Sequence, residues 1–289
     1  MNTAVMTPRR IPFFKSVRIF IIDVAILLGL IGLLIGGTML GKEVIEISKL
    51  RSQIAQIAKF DEAVADFYQK FEGLPGDLLA AAAEREGMAY GDGTPGHGDN
   101  DGKISPCNLG WEWNLGCETS LFWSHLSAVG LIPQNFSADS RMTDYRIPDV
   151  SVLEPYLPES PLGEGIFIAV WNTDAAIEAP APQLPYGNYY EISRIGGSVE
   201  GKLKDDIHAL TPAQAHAIDS KMDDGLPLNG RVVVNGAANW PEDAWGTYAQ
   251  PGENNCITPD KHYNTQEFFK ANRPLCHIAI AFTCCKREE

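Results

Sequence analysis

Residues 19–40 read IFIIDVAILLGLIGLLIGGTML, a run in which Asp23 is the single charged side chain. An α-helix rises about 1.5 Å per residue, so this run would make a helix about 33 Å long. The hydrocarbon core of a bilayer is about 30 Å thick, and crossing it takes about 20 mostly apolar residues. The sequence therefore predicts one transmembrane helix over residues 19–40.

The residues before this run are basic and predict its orientation. Residues 1–18 include Arg9, Arg10, Lys15 and Arg18 and contain no acid. Positive flanks stay in the cytoplasm, so we expect a cytoplasmic leader over residues 1–18 and an exported remainder. The alternative is a cleaved secretory signal. The length of the apolar run and the lack of a clear cleavage site before Gly41 count against it.

Asp23 is the unusual residue of the predicted span. A carboxylate at the bilayer centre costs roughly 2.5–3.5 kcal/mol, and a position nearer the edge costs less. Acids in such positions are commonly functional and pair with a cation. The alternative is a border residue that reaches headgroup water or Arg18.

An amphipathic helix is predicted to continue over residues 41–72. Its apolar residues recur at spacings of three, four and seven, which is typical of a helix with one buried face. They are Ile47, Leu50, Ile54, Ile57, Val64, Tyr68 and Phe71, and Phe60 and Phe67 widen the stripe. The helix is expected to end at Gly73 and to pack on a globular domain over residues 73–289. The alternative is two helices hinged at Gly36 and Gly37 or at Gly41.

The rest of the chain predicts helices and strands in mixed order. Helices are expected at about residues 120–129 and 211–222, the second with a Thr211 cap and Gln214 reaching back. Apolar or alternating runs predict strands. These runs are residues 165–171, 189–195, 231–234 and 277–283.

Together these features resemble the type IV pilin-like proteins with a prepilin-type N-terminus, in a bacterial branch with a large exported domain. The resemblance is carried by residues 21–24, 30–37, 50–53, 73–77, 98–104, 122–126 and 218–227, together with Phe60, Ala63, Val64 and Phe67. The resemblance implies an α+β fold in which a long transmembrane-plus-amphipathic helix packs on an antiparallel sheet.

The same resemblance implies a structural role. The protein would be a subunit or minor component of a type IV pilus or of a type II secretion pseudopilus. Its partners would be other pilin-like subunits, the inner membrane and the assembly machinery. It would cross the bacterial inner membrane once, with its C-terminal domain in the periplasm or in an extracellular filament.

The processing site departs from the family pattern. Aligning Asp23 with the family's glutamate puts Arg18 where the prepilin peptidase reads glycine and Ile19 at the new N-terminus. We expect Arg18 to block or slow cutting, and to supply the cation that the free amine of Ile19 would otherwise provide. The assembly residues are therefore Asp23, Arg18 and Ile19. The alternative role is an uncleaved, membrane-anchored binding or adhesion module.

Residues 91–104 read GDGTPGHGDNDGKI and resemble part of a calcium-binding loop. Asp99 and Asp101 fall at positions three and five of such a loop, but His97 stands at position one and Asn108 replaces the usual glutamate. The possible calcium ligands are Asp92, Asp99 and Asp101. The alternative is an acidic surface turn.

A second acidic group follows the predicted helix at residues 211–222. It consists of Asp219, Asp223 and Asp224. The sequence favours helix caps and solvated surface for this group over a second cation site.

All six cysteines lie beyond the predicted span, and an oxidising periplasm would pair them. They are Cys107, Cys117, Cys256, Cys276, Cys284 and Cys285. We expect Cys107 to bond Cys117 across a short loop. Cys256 is expected to pair with Cys276, Cys284 or Cys285, closing the tail as pilin-like proteins often do. Cys284 and Cys285 are not expected to bond each other, since neighbours on a strand point to opposite faces.

Charge and motifs disfavour two function classes. The net charge is −14 at pH 7, which disfavours binding of nucleic acid through its phosphates. The sequence has no GxSxG, HExxH or phosphate-loop motif, and its histidines are scattered. We therefore predict no catalytic residues; an anchored hydrolase is the third alternative.

Overall fold

The computed structural model describes residues 13–89, 98–105, 117–137, 153–163, 165–173, 187–199, 202–205, 209–234, 255–265 and 276–285. The described helices are α1 (Phe13–Phe71), α2 (Ala80–Arg85), α3 (Glu118–Ala128) and α4 (Pro212–Met222). The described strands are β1 (Ile166–Asn172), β2 (Asn188–Val199), β3 (Lys202–Asp205), β4 (Val232–Val234) and β5 (Ile278–Ala281). The chain divides into two compact units, Met1–Lys49 and Leu50–Glu289.

The strands form an antiparallel sheet in the order β1-β2-β5-β4, and β3 pairs with the far end of β2. Helices combined with an antiparallel sheet confirm the α+β class. The predicted strands at 165–171 and 189–195 correspond to β1 and β2. The extension of β2 to Val199 and its pairing with β3 were not predicted, because Gly196 and Gly197 interrupt the alternating pattern.

Helices α3 and α4 lie close to their predicted positions. In α4 the predicted capping box is present: the Gln214 N–H donates to Thr211 Oγ1 at 3.2 Å, and the Thr211 N–H donates to Gln214 Oε1 at 2.9 Å. These bonds satisfy N–H groups that the first turn of a helix otherwise leaves unpaired.

The second unit buries one face of α1 in its core. Phe60, Val64 and Phe67 are at most 3 % exposed, and the Phe60 ring packs against Trp123 of α3 with 4.7 Å between ring centroids. The predicted stripe is therefore buried in its middle. At its N-terminal end Ile47 is 51 % exposed and lies in the first unit. Near the other end Tyr68 is 38 % exposed, while Phe71 is half-buried against the core.

Both faces of the sheet are buried. Side chains alternate along each strand, so Tyr190 and Ile192 face the main core while Tyr189 and Trp171 form a second apolar cluster with Val233 and Ala279. Glu191 lies on this second face, 3.9 Å from His277 and 1 % exposed.

The first unit holds the N-terminal part of α1. The described side chains of residues 23–33 and 41–49 are all exposed. Side chains of residues 13–22 and 34–40 lie outside the described set. Counting only the side chains that the structure describes, no helix has an apolar stretch long enough to cross a bilayer.

Candidate functional site

Three carboxylates from separate parts of the second unit meet in what we call the acidic cluster. Asp77 follows α1, Asp99 lies in the 98–105 loop, and Glu118 is the first residue of α3. Each offers an oxygen within 4.8 Å of the others. Asp77 and Glu118 are 0 % exposed, whereas Asp99 is half-buried. The cluster is therefore an enclosed acidic site with one edge toward solvent.

Two glycines allow the backbones around the cluster to approach closely. Gly76 has φ +90°, and a Cβ there would lie 2.4 Å from the carbonyl oxygen of Glu118. Gly98 has φ +82°, and its Cβ would lie 2.5 Å from the carbonyl oxygen of Leu78. Both positions need glycine for conformation and for space, because L side chains rarely adopt positive φ.

The 98–105 loop wraps around the two buried carboxylates with its N–H groups. Asp77 accepts from the Asp101 N–H at 3.2 Å and from the Gly102 N–H at 2.8 Å, one on each oxygen. Glu118 accepts from the Gly98 N–H at 2.8 Å and from the Ser105 N–H at 2.7 Å, also one on each oxygen. Such bonds favour the ionised form of a carboxylate.

A side chain on the sheet fixes the same loop from its other side. Asn188 on β2 accepts from the Ile104 N–H at 2.9 Å and donates through Nδ2 to the Gly102 carbonyl at 2.9 Å. Asn172 of β1 donates to the same Asn188 oxygen at 2.8 Å. The loop is thus held between the sheet and the acidic cluster.

Burial opposes the negative charge of the cluster. Desolvation raises the pKa of Asp77 from its ordinary value to about 7, with the charges of Asp101 and Asp99 adding to the effect. Desolvation raises the pKa of Glu118 to about 8, and the charges of Asp77 and Asp99 act in the same direction. In both groups the N–H bonds lower the pKa. Bound protons or a bound cation would relieve this conflict.

Carboxylate oxygens from several segments are ligands that suit a hard cation such as Ca²⁺. Of the two predicted calcium ligands that the structure describes, Asp99 is one of the three grouped carboxylates and Asp101 is not. Asp101 contributes its N–H to Asp77, and its Oδ1 accepts from the Lys103 N–H at 2.8 Å. Asp92 lies outside the described residues.

Sequence reasoning missed Asp77 and Glu118 as site residues. They are 41 positions apart in the chain, so no local spacing pattern joins them. Two sequence features could have pointed to them: the glycine directly before Asp77, and the position of Glu118 two residues before the predicted helix at 120–129.

His125 of α3 supports the turn that carries Asp77. Its Nδ1 accepts from the Gly76 N–H at 3.0 Å, so Nε2 carries the proton that faces the Ala89 carbonyl oxygen 2.6 Å away. Burial lowers the pKa of His125 to about 4. The ring is therefore neutral at physiological pH and positions the turn.

The second acidic group makes bonds of a structural kind. Asp219 accepts from the Tyr263 hydroxyl at 2.7 Å and from the Gly225 N–H at 3.0 Å. Asp223 accepts from the backbone N–H groups of Arg231 and Val232. Asp224 accepts from the Leu226 N–H at 2.8 Å. The donors all lie beyond the end of α4, so these carboxylates hold the segments that follow the helix and do not cap it. Asp219 is 0 % exposed, so the expected solvated surface position was wrong for this residue. The three carboxylates are also close enough together to hold a cation.

The disulfides follow the prediction in part. Cys256 is bonded to Cys276, one of the three partners that the sequence left open. Cys284 and Cys285 are bonded to each other, so the expectation that they would not bond was wrong. The reason is that β5 ends at Ala281, and Cys285 adopts φ +67° instead of a strand conformation. Cys117 is also disulfide-bonded, and its predicted partner Cys107 lies outside the described residues.

The predicted assembly residues lie in the first unit. Asp23 is exposed on α1. Arg18 and Ile19 belong to the same helix, but their side chains lie outside the described set.

No protein-family model, no curated protein and no solved structure matches this chain.

Proposed function

We propose that this protein is a membrane-anchored structural subunit of a pilin-like filament. It would serve as a subunit or minor component of a type IV pilus or of a type II secretion pseudopilus, with a structural, non-catalytic role. The observation that carries the proposal is the apolar, exposed surface of α1 in the first unit, and the fold of the second unit supports it.

The exposed surface of α1 is too apolar for contact with water alone. Ile26, Leu27, Leu28 and Leu30 are 53–63 % exposed, and Leu33 is 75 % exposed. Contiguous apolar surface of this kind marks a site of contact with lipid or with another protein chain. Lipid around a single helix, or apolar helices of like subunits, would remove these side chains from water.

The second unit supports the proposal through its use of the same helix. In this part of α1 the apolar face is buried: Ile57, Val64 and Phe67 are 0 % exposed. The helix and an antiparallel sheet share this core. One helix with an exposed apolar part and a docked amphipathic part is the arrangement that the resemblance to pilin-like proteins implies.

Asp23 would fix how neighbouring helices align along their length in the proposed packing. Among the described side chains of residues 23–33 it is the one charged group. Surrounded by lipid or by apolar helices, its carboxylate would require a cation close by. Arg18, in the same chain or in a neighbouring subunit, is our proposed source of that cation.

The alternative function is an anchored binding or adhesion module that stays monomeric. Cysteine crosslinking separates the two. The full chain carrying Ala25→Cys, in native membranes, is treated with an oxidant, and Leu79→Cys, on an exposed position of the second unit, is the matched control. Filament packing predicts crosslinked oligomers from Ala25→Cys and few from Leu79→Cys. Monomers from both variants would support the anchored module.

We further propose that the acidic cluster binds Ca²⁺ and thereby fixes the 98–105 loop. The specific support is that all four oxygens of Asp77 and Glu118 already accept N–H bonds. Protonating either group would weaken the bond to the protonated oxygen, whereas a cation could share the same oxygens. Asp99 would complete the set from the solvent side.

Isothermal calorimetry on the detergent-extracted full chain tests calcium binding. Asp99→Asn and Asp101→Asn form a matched pair, because both lie in the same loop and only Asp99 belongs to the cluster. We expect Asp99→Asn to weaken binding strongly and Asp101→Asn to weaken it little. No heat from the wild-type chain would refute the calcium proposal and would indicate that the cluster holds protons.

A further inference from the structure

Cys284 and Cys285 form a disulfide between adjacent residues just beyond the end of β5. Both side chains are half-buried at the edge of the main core. The second fully described disulfide, Cys256–Cys276, differs in access: both of its cysteines are 0 % exposed. Thiol–disulfide exchange requires a thiolate to reach a sulfur atom. The half-buried bond should therefore exchange faster than the fully buried one.

The segment that carries the adjacent pair also holds α1 on the sheet. We call residues 283–285, which follow β5, the tail segment. The Thr283 N–H donates to Asp61 Oδ1 on α1 at 3.4 Å. Arg231 donates through Nε to the Ala281 carbonyl at 2.7 Å, and its Nη2 pairs with Asp61. The tail segment, α1 and the residue before β4 are therefore joined by one small polar network.

The disulfide restricts the backbone of this segment. Cys285 has φ +67°, in the left-handed region that a residue with a Cβ rarely adopts. A bond between adjacent side chains closes a small ring, and that ring limits the conformations open to Cys285. Once the bond is cut, Cys285 can return to the ordinary region and the tail segment can move away from Asp61.

We propose that Cys284–Cys285 is a thiol-exchange site whose opening loosens the tail segment from α1. The reactant is a dithiol reductant of the thioredoxin class. One thiolate of the reductant attacks a cysteine sulfur, the bond between the two cysteines breaks, and the departing thiolate takes a proton. The second thiol of the reductant then attacks the mixed disulfide. The products are two cysteine thiols on this protein and one disulfide on the reductant.

Differential alkylation tests the site. The detergent-extracted full chain is treated with increasing dithiothreitol, quenched with iodoacetamide and digested for peptide mass spectrometry. We expect Cys284 and Cys285 to be alkylated at least about tenfold faster than Cys256 and Cys276, because access limits exchange. Equal rates, or faster reaction of Cys256–Cys276, would overturn the proposal.

Hydrogen exchange tests the consequence for the tail segment. After selective reduction we expect faster exchange of the Thr283 amide, while the Ile280 amide within β5 stays protected. The double variant Cys284→Ser with Cys285→Ser should show the same fast exchange at Thr283 without any reductant. Unchanged protection of the Thr283 amide after complete reduction of the pair would contradict the proposed loosening.

Discussion

The Ser105 N–H donates to Oε2 of Glu118 at 2.7 Å, which joins the end of the 98–105 loop to the first residue of α3. The other oxygen of Glu118 accepts from the Gly98 N–H at 2.8 Å, at the beginning of the same loop. One buried carboxylate therefore closes the loop at both ends. Ligands and protons that act on Glu118 should act on the whole loop.

Calcium should stabilise the folded second unit if the acidic cluster binds it. A ligand that binds only the folded state adds about 2.7 kcal/mol of unfolding free energy at 100 times its dissociation constant. We expect the wild-type melting temperature to rise on addition of calcium and to fall on addition of a chelator. Glu118→Gln should respond to neither. An equal rise in that variant would place the calcium elsewhere.

The metal-free protein should become less stable as pH rises toward 8. The folded-state pKa of Glu118 is raised by burial to about 8. The folded state therefore holds a proton that the unfolded chain loses near its ordinary pKa of 4.5, and this contribution disappears as pH rises through the folded pKa. The slope is at most about 1.4 kcal/mol per pH unit from this group. Chemical unfolding in chelator between pH 5 and 8 measures it.

Calcium provides the control for that slope, because a bound cation favours ionised carboxylates. With saturating calcium the loss of stability above pH 5 should become smaller. A slope that is identical with and without calcium would show that the two equilibria are not linked at this cluster.

Protonation of His125 should destabilise the fold at acid pH. Burial lowers its folded-state pKa to about 4, below the ordinary value of about 6.5. The neutral ring is stabilising above the unfolded pKa, and that contribution is lost as pH falls from about 6.5 toward 4, by up to about 1.4 kcal/mol per pH unit. The unfolding free energy of His125→Gln should fall less than that of wild type over the same pH range. An equally steep loss of stability in His125→Gln and in wild type would contradict this role of the buried ring.

Much of this fold follows from local sequence patterns, and the acidic cluster does not. Thr211 and Gln214 lie three residues apart, so their reciprocal bonds could be predicted without a structure. The stripe through Ile57 and Val64 follows in the same way from helical spacing. Asp77 and Glu118 come together where Gly76 and Gly98 allow segments distant in the chain to approach closely. No short-range sequence pattern predicts such an approach. The bond between Cys284 and Cys285 was missed because both were treated as strand residues, whereas β5 ends at Ala281.

Gly76 and Gly87 both have positive φ, but a Cβ would clash with neighbouring atoms only at Gly76. Substituting each by alanine therefore separates the cost of the backbone conformation from the cost of the clash. Gly76 has φ +90° and no room for a Cβ, whereas Gly87 has φ +71° and no described atom within 4 Å of where a Cβ would lie. We expect Gly87→Ala to lower the unfolding free energy by about 1–2 kcal/mol, the conformational term alone. Gly76→Ala should lower it by more and should also weaken calcium binding. Equal losses would mean that the turn at Gly76 moves freely away from α3.

The two parts of α1 should respond differently to loss of an apolar side chain. Phe67 is 0 % exposed, and Phe67→Ala should lower the unfolding free energy of the second unit by about 3–5 kcal/mol. Leu33 is 75 % exposed, and Leu33→Ala should change it by no more than about 0.5 kcal/mol. Denaturant unfolding in detergent, followed by tryptophan fluorescence, measures both. A large loss in Leu33→Ala would contradict a role for that surface in contacts between molecules.

The most direct measurement is the association of full chains in native membranes when the charge at residue 23 is changed. Oxidative crosslinking of Ala25→Cys is compared in three backgrounds: wild-type Asp23, Asp23→Ala and Asp23→Glu. Packing that depends on a carboxylate predicts that Asp23→Ala abolishes the crosslinked oligomers and that Asp23→Glu retains them. Oligomers of the same size and yield in all three backgrounds would contradict assembly through Asp23.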